Sequence, residues 1–377
     1  MPRCRHYLLA MATSMNTLTL DRGSEAAPVS RIAKHLIADD RAMLRAAAEL
    51  TRDLVQPRPA IYWADLIASV AIGYPALVLA ATTASSGVMI AGGVVAMLAL
   101  YRAISFIHEV SHVKHSALPG FRLGWNALVG VPLLTPSFMY EGVHNLHHAK
   151  TRYGTSEDPE YLPLALMKPW TLPLFIVVSA LAPVALLFRY AVLSPLSVLI
   201  PQLRTLVVER YSALAINPQF RRRAPEGEAR RRWNRIEAAA SLWAIAIVAL
   251  VATGIVPLRS MAVAFAIVSA VAVVNQVRTL VAHLWENEGE AMTVTAQYLD
   301  SVNVPPPALL PGLWAPVGLR YHALHHLLPS LPYHSLGEAH RRITAALDAE
   351  SPYHKASYAG LPGLVAQIAR STMKPGR

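Results

Sequence analysis

Cysteine is almost absent from this 377-residue chain, in which Cys4 stands alone. One thiol cannot make an intrachain disulfide, a cysteine-based zinc site or a cysteine-ligated iron–sulfur cluster, and its isolation suits a reducing compartment. Charge is scarce as well. Charged residues make up 15% of the chain and hydrophobic residues 54%, whereas soluble domains carry about 25% charged residues. Mean hydropathy is +0.35. These values argue against an ordinary soluble enzyme and for a membrane protein. The length would admit two soluble domains, but apolar segments take up much of it and favour one. The net charge of +11 is mostly arginine and reads as contact with anionic lipid on the cytoplasmic face, with no nucleic-acid partner.

The opening MPRCRHYLLAMATS joins basic residues to a short, mixed apolar run, a poor signal peptide. Residues 1–29 read as a disordered or mis-started tail, with Met11 and Met15 as alternative starts. A membrane domain is expected over 30–350, and 351–377 reads as a C-terminal tail. Residues 30–54 show an amphipathic helix capped by Ser30, lying on the membrane surface and ended by Pro57 and Pro59. Segments 66–83 and 87–107 are apolar enough to span a bilayer, which takes about 20 residues. Segment 125–139, broken by Pro132 and Pro136, reads as interfacial or re-entrant. Further apolar segments cover 170–193, 239–257 and 260–282.

Against this background stand three histidine clusters: HEVSH at 108–112, HNLHH at 144–148 and HALHH at 322–326, which together hold eight of the 15 histidines. On a helix, positions i, i+3 and i+4 share a face, so each cluster can aim several imidazoles at one point. A given H-x-x-H-H arises by chance in this length with a probability of roughly 0.02. Two of them plus an H-x3-H indicate a common cause, and a metal is the usual one. A single site needs all three clusters on one side of the membrane, hence an even number of crossings between the second and third. Residues 170–193, which contain Pro173, Pro183 and Arg189, are then the segment that does not cross alone. The basic stretch from Arg204 to Arg235 falls in the cytoplasm, read as a solvated, lipid-facing surface. The expectation is an all-α integral membrane protein of about four transmembrane helices, with a cytoplasmic helical cap carrying the metal site.

HEVSH also matches the zinc protease motif, with His108 and His112 as ligands and Glu109 as general base. That reading leaves the other two clusters unexplained, whereas six histidines as ordinary core would be costly at a membrane interface. His283 ends the apolar segment containing Asn275, Gln276 and Arg278, and it reads as a ninth ligand. His115 is either a further ligand or a neighbour, and His334 and His340 orient the third cluster or lie on the surface. Asp300, Glu157, Asp158 and Glu160 are possible partners for the ring N–H groups, although a solvated loop accounts equally well for the last three. Nine neutral imidazoles suit two borderline metal ions, and redox iron justifies so many ligands better than zinc. A di-iron centre at a bilayer edge can activate O2 against a C–H bond in a lipid tail. The chain has no electron carrier of its own, so a separate protein of ferredoxin or small cytochrome type must supply electrons.

In order and spacing the three boxes resemble those of the integral-membrane fatty-acid desaturases, over residues 60 to 345. The EDPEY at 157–161 resembles that family's acidic pair. The resemblance implies His108, His112, His144, His147, His148, His283, His322, His325 and His326 as di-iron ligands, with Asn275 as the nearest counterpart of a water-mediated asparagine. It implies an O2-dependent desaturase placing a double bond in the acyl chain of a lipid or fatty acyl thioester. The same boxes serve lipid hydroxylases and ketolases, and that alternative stays open. The implied location is the cytoplasmic face of a multi-pass membrane protein, in a bacterial inner membrane rather than the endoplasmic reticulum.

Overall fold

A computed structural model describes residues 34–164, 167–308 and 310–372. The reading of residues 1–29, and Ser30 as a cap, lie outside these. Among the described residues the first α-helix is α1 (Arg41–Leu50), capped by Asp40, whose carboxylate accepts the Met43 N–H at 2.9 Å. It does not lie free on a bilayer. Its apolar stripe, Met43 and Ala47, is buried against Tyr298, Leu324 and Ile343 of the cap. A strong hydrophobic face describes either surface, and here protein covers it.

α2 (Pro59–Thr82) starts with proline at its first position, where no N–H is needed, and α3 (Ser86–His112) is capped by Ser85. Small residues let the two approach closely. A Cβ on Gly73 would lie 2.8 Å from the Leu100 side chain, and one on Gly92 would lie 3.3 Å from the Ala76 carbonyl oxygen. Asp65 and Arg102 tie the pair with two hydrogen bonds of 2.6 Å. The short helix α4 (His144–His147) follows, then the apolar α5 (Thr171–Leu199), α6 (Gly227–Ala252) and α7 (Leu258–Leu280). No strand forms among the described residues, and extended backbone pairs only in isolated bridges such as His283 with Ser301. The protein is an all-α, multi-pass membrane protein.

Five helices, α2, α3, α5, α6 and α7, are long and apolar enough to cross a bilayer, against the four expected. α5 differs from the rest. It passes through a 3₁₀ turn at Val178–Leu181 and a π turn at Arg189–Leu193. Leu172 at its start packs with Leu280, at the histidine end of α7. Ser269 reaches the Ala180 carbonyl partway along. Arg189 then binds Glu237 at 2.8 Å, together with Tyr211 O, Ser194 and Ser212. Glu237 in turn sits against Trp233, which stacks on Phe138 a few residues before the second cluster. Leu172 and Arg189 of α5 thus contact segments that lead to the histidine boxes. Arg189 is tolerated because carboxylate and hydroxyls satisfy it.

The cap is built from α8 (Val294–Asp300), α9 (Pro311–Trp314), α10 (His322–Leu327), α11 (Leu336–Ala346) and α12 (Leu361–Thr372). Residues 351–372 do not behave as a tail. Tyr353 and Ala356 are fully buried, and Leu364 and Ile368 enter the core beside Trp285.

Candidate metal centre

Each histidine box is held by a different element. α3 continues past the apolar run and carries His108 and His112 one turn apart. α4 is a single turn, reached after Asn126 fixes the Ser137 backbone and hydroxyl. α10 is anchored in its first turn, where the Leu324 N–H donates to the Asn303 side-chain oxygen at 3.0 Å. His283 follows α7, where Leu284 N–H and Val302 N–H bridge to Asp300 and Ala282.

The structure brings all nine expected ligands together, in two groups. His108, His112, His144, His148 and His325 form one, and His147, His283, His322 and His326 the other; within each group the ligand atoms lie within 4.8 Å of one another. The division corrects the expectation that each box aims at one point. In the second box, positions i and i+4 (His144, His148) serve the first group while i+3 (His147) serves the second. In the third box the assignment reverses: His322 and His326 serve the second group and His325 the first. Positions i and i+4 lie almost in line on a helix, and i+3 diverges to one side. The H-x-x-H-H spacing therefore links two adjacent metal positions.

The donor set fits metal ions. His147 Nδ1 faces both oxygens of Asp158 at 2.9 and 3.0 Å, and His144 Nδ1 faces Glu160 at 2.8 Å and Tyr140 at 2.9 Å. His283 Nδ1 faces the Tyr153 hydroxyl at 2.8 Å. A ring nitrogen facing a carboxylate carries the proton, which leaves Nε2 as a bare lone pair. Yet Nε2 atoms meet at 3.0 Å in the pairs His144–His148, His112–His325 and His283–His322. Lone pairs converging in a buried space call for a shared cation. Both nitrogens of His108 are buried with no hydrogen-bond partner, as are Nδ1 of His322, His325 and His326. Burial, reinforced by neighbouring imidazoles, holds His144, His148, His283, His322, His325 and His326 well below the ordinary histidine range. Neutral rings are the ligating form. His147 is the exception: burial lowers it, but Asp158, with Glu160 and Asp300, raises it overall. Burial pushes Glu160 up to about 7.

The remaining expectations divide. Asp300 is fully buried and accepts from Tyr153 (3.0 Å), Tyr161 (2.9 Å) and Lys34 (2.7 Å), so it reaches His283 through the Tyr153 hydroxyl. Asp158 and Glu160 bind ligand rings rather than lying in a solvated loop. Asn275 accepts from the Arg278 guanidinium at 3.1 Å and belongs to neither histidine group. His115 is exposed and outside both. His334 accepts the Arg58 N–H, and His340 binds Tyr353. Arg222 is not part of a solvated surface, since it stacks on Trp233 and donates to the Glu141 carbonyl three residues before His144. Sequence reasoning missed Tyr140, Tyr153 and Tyr161. Their placement beside the boxes was visible, but tyrosines in an apolar chain give no signal of their own.

The protease arrangement fails on geometry. Glu109 is buried, accepts from the Tyr62 hydroxyl and the Tyr333 N–H, and lies on the Nδ1 side of His108 at 3.7 Å. It faces away from the convergence of Nε2 atoms, where a general base would have to act.

Comparison with known proteins agrees with this site. A fatty acid desaturase family model matches residues 84–358, from α2's end to past the third box. The chain belongs to the fatty acid desaturase family, a class of oxygen-dependent oxidoreductases. It is also 52% identical over 324 residues to a ceramide hydroxylase of Caulobacter vibrioides (strain NA1000 / CB15N), covering 86% of this chain and 92% of that one. No solved structure matches it significantly.

Proposed function

We propose that this enzyme hydroxylates a ceramide-type lipid, an N-acylated long-chain amide, within the membrane. The observation that carries this reading is the 52% identity to a ceramide hydroxylase along nearly the whole of both chains. It favours hydroxylation over the double-bond formation that the histidine boxes alone suggested. Iron in each histidine group, nine imidazoles in all, would supply reductive activation of O2 when bound. His108, His112, His144, His148 and His325 would hold one ion, and His147, His283, His322 and His326 the other. Asp158, Glu160 and Tyr153 hold the ring protons on Nδ1 and so keep Nε2 free. Apolar helices on the membrane side exclude bulk water from the reacting carbon. The basic residues of 204–235, gathered at the histidine end, support a cytoplasmic site in a bacterial inner membrane. Electrons would come from a separate ferredoxin or small cytochrome. The test is lipid profiling by mass spectrometry of cells with and without expression. Ceramides gaining one oxygen support the proposal. Loss of two hydrogens instead assigns a desaturase, and an unchanged ceramide pool refutes the substrate.

A further inference from the structure

Arginines within the apolar helices are costly unless satisfied, and most of those here are. Arg102 is paired with Asp65, and Arg189 with Glu237. Arg278, in the last turn of α7, is different. Among the described residues no carboxylate ion-pairs with it; its Nη2 donates to the Asn275 side chain, and its Nε is buried with no partner. The side chain lies on the face of α7 turned to α3, near Tyr101, whose hydroxyl donates to the Trp314 carbonyl of α9 at 2.8 Å. Its charge is felt by His108, His283 and His322, ligands drawn from both histidine groups. α9 packs against α7 and leaves Leu310 and Leu313 exposed. The result is a cation with a spare buried donor, in the last turn of the helix that leads into the ligand His283.

We propose that Arg278 is a substrate-binding residue that takes the carbonyl oxygen of the lipid's amide, and thereby sets which carbon is oxidised. A guanidinium donates but cannot accept, so its partner must be an acceptor. The carbonyl is the strongest acceptor a neutral ceramide brings to membrane depth. Held beside the ligand rings, it leaves only carbons a few bonds away within reach of the centre, so the new hydroxyl lies near the amide rather than in mid-chain. This rests on the ceramide reading above. An ester carbonyl offers similar chemistry, and diacylglycerol distinguishes that source.

The experiment is equilibrium binding of N-palmitoyl ceramide to purified, metal-free protein in nanodiscs, followed by fragment analysis of the product formed by the iron-loaded enzyme. Arg278→Met keeps volume and removes the donors. A charge-assisted hydrogen bond predicts about 10- to 100-fold weaker ceramide binding, while Arg278→Lys stays within several-fold of wild type. Wild-type protein should discriminate by the same factor against a neutral ether analogue lacking the carbonyl, a comparison that needs no variant to fold. Dipalmitoylglycerol bound as tightly as ceramide would show that the amide is not what is read. Equal binding of ceramide by Arg278→Met, equal binding of the ether analogue by wild type, or oxygen found in mid-chain overturns the assignment. If wild type binds and oxidises no ceramide, the function proposed above fails instead.

Discussion

Asp158 offers the sharpest test of how the second histidine group is held. Its fully buried carboxylate accepts from three N–H groups: His147 Nδ1 at 2.9 and 3.0 Å, Gly154 at 2.9 Å and Glu160 at 2.8 Å. Asp158→Asn keeps the shape and replaces one acceptor oxygen with an NH2. Three donors then compete for one oxygen, so at least one buried N–H is stranded or faces another donor. That costs about 1–3 kcal/mol. The loss of negative charge also removes what fixes the proton on His147 Nδ1, and such changes typically lower metal affinity by about 10- to 100-fold. The damage should be uneven, because His147 belongs to the four-histidine group only. Titration of the apoprotein with Fe(II) under argon, followed by Mössbauer spectroscopy at limiting iron, reads the two sites separately. The expected result is a variant that fills the five-histidine site normally and the other only at much higher iron. Wild-type filling of both sites would refute the reasoning.

Three further outcomes are expected. Gly73→Leu forces a side chain against Leu100, where a Cβ already comes within 2.8 Å; overpacking of about 1–3 kcal/mol should lower the thermal midpoint in detergent, and an unchanged midpoint would contradict the close α2–α3 approach. His115→Ala should leave metal content and activity at wild-type levels, since His115 is exposed and outside both groups; loss of a metal would restore it as a ligand. Burial, with His354 and Arg320 adding, lowers His340 to about 4 from 6.5. The folded protein therefore binds fewer protons there than the unfolded chain. The resulting stabilisation is complete above 6.5 and is lost as pH falls toward 4, on the order of 3 kcal/mol at most. His340→Gln should flatten that part of the midpoint-versus-pH curve; an unaltered curve would exclude the contribution.

Eight of the nine histidines brought together here were readable from spacing, because chance rarely yields two H-x-x-H-H boxes, and His283 from its place at the end of an apolar segment. How the boxes divide was not readable. Helical periodicity puts i, i+3 and i+4 on one face, but only the relative placement of α4 and α10 decides which ring serves which group. The carboxylates Asp158 and Asp300 were visible, yet the tyrosines that join Asp300 to His283 depend on contacts between Tyr153 and residues more than a hundred positions away. Local pattern also misjudged α1, because an amphipathic stripe carries no record of whether lipid or protein covers it. Residues 351–372 looked like a tail for the same reason: their burial is decided by distant partners such as Tyr298 and Trp285. Among the arginines, sequence gave charge but not pairing, so Arg189, Arg222 and Arg278 looked alike and proved to differ.

The proposed reaction places one oxygen atom of O2 onto a ceramide. Purified, iron-loaded protein in nanodiscs, given N-palmitoyl ceramide, a reduced ferredoxin and O2 of the heavy oxygen isotope, tests it directly. The expected product is a hydroxyceramide carrying one heavy oxygen atom, formed only when both histidine groups are filled. A product with a new double bond and no label, or with oxygen derived from water, would contradict it.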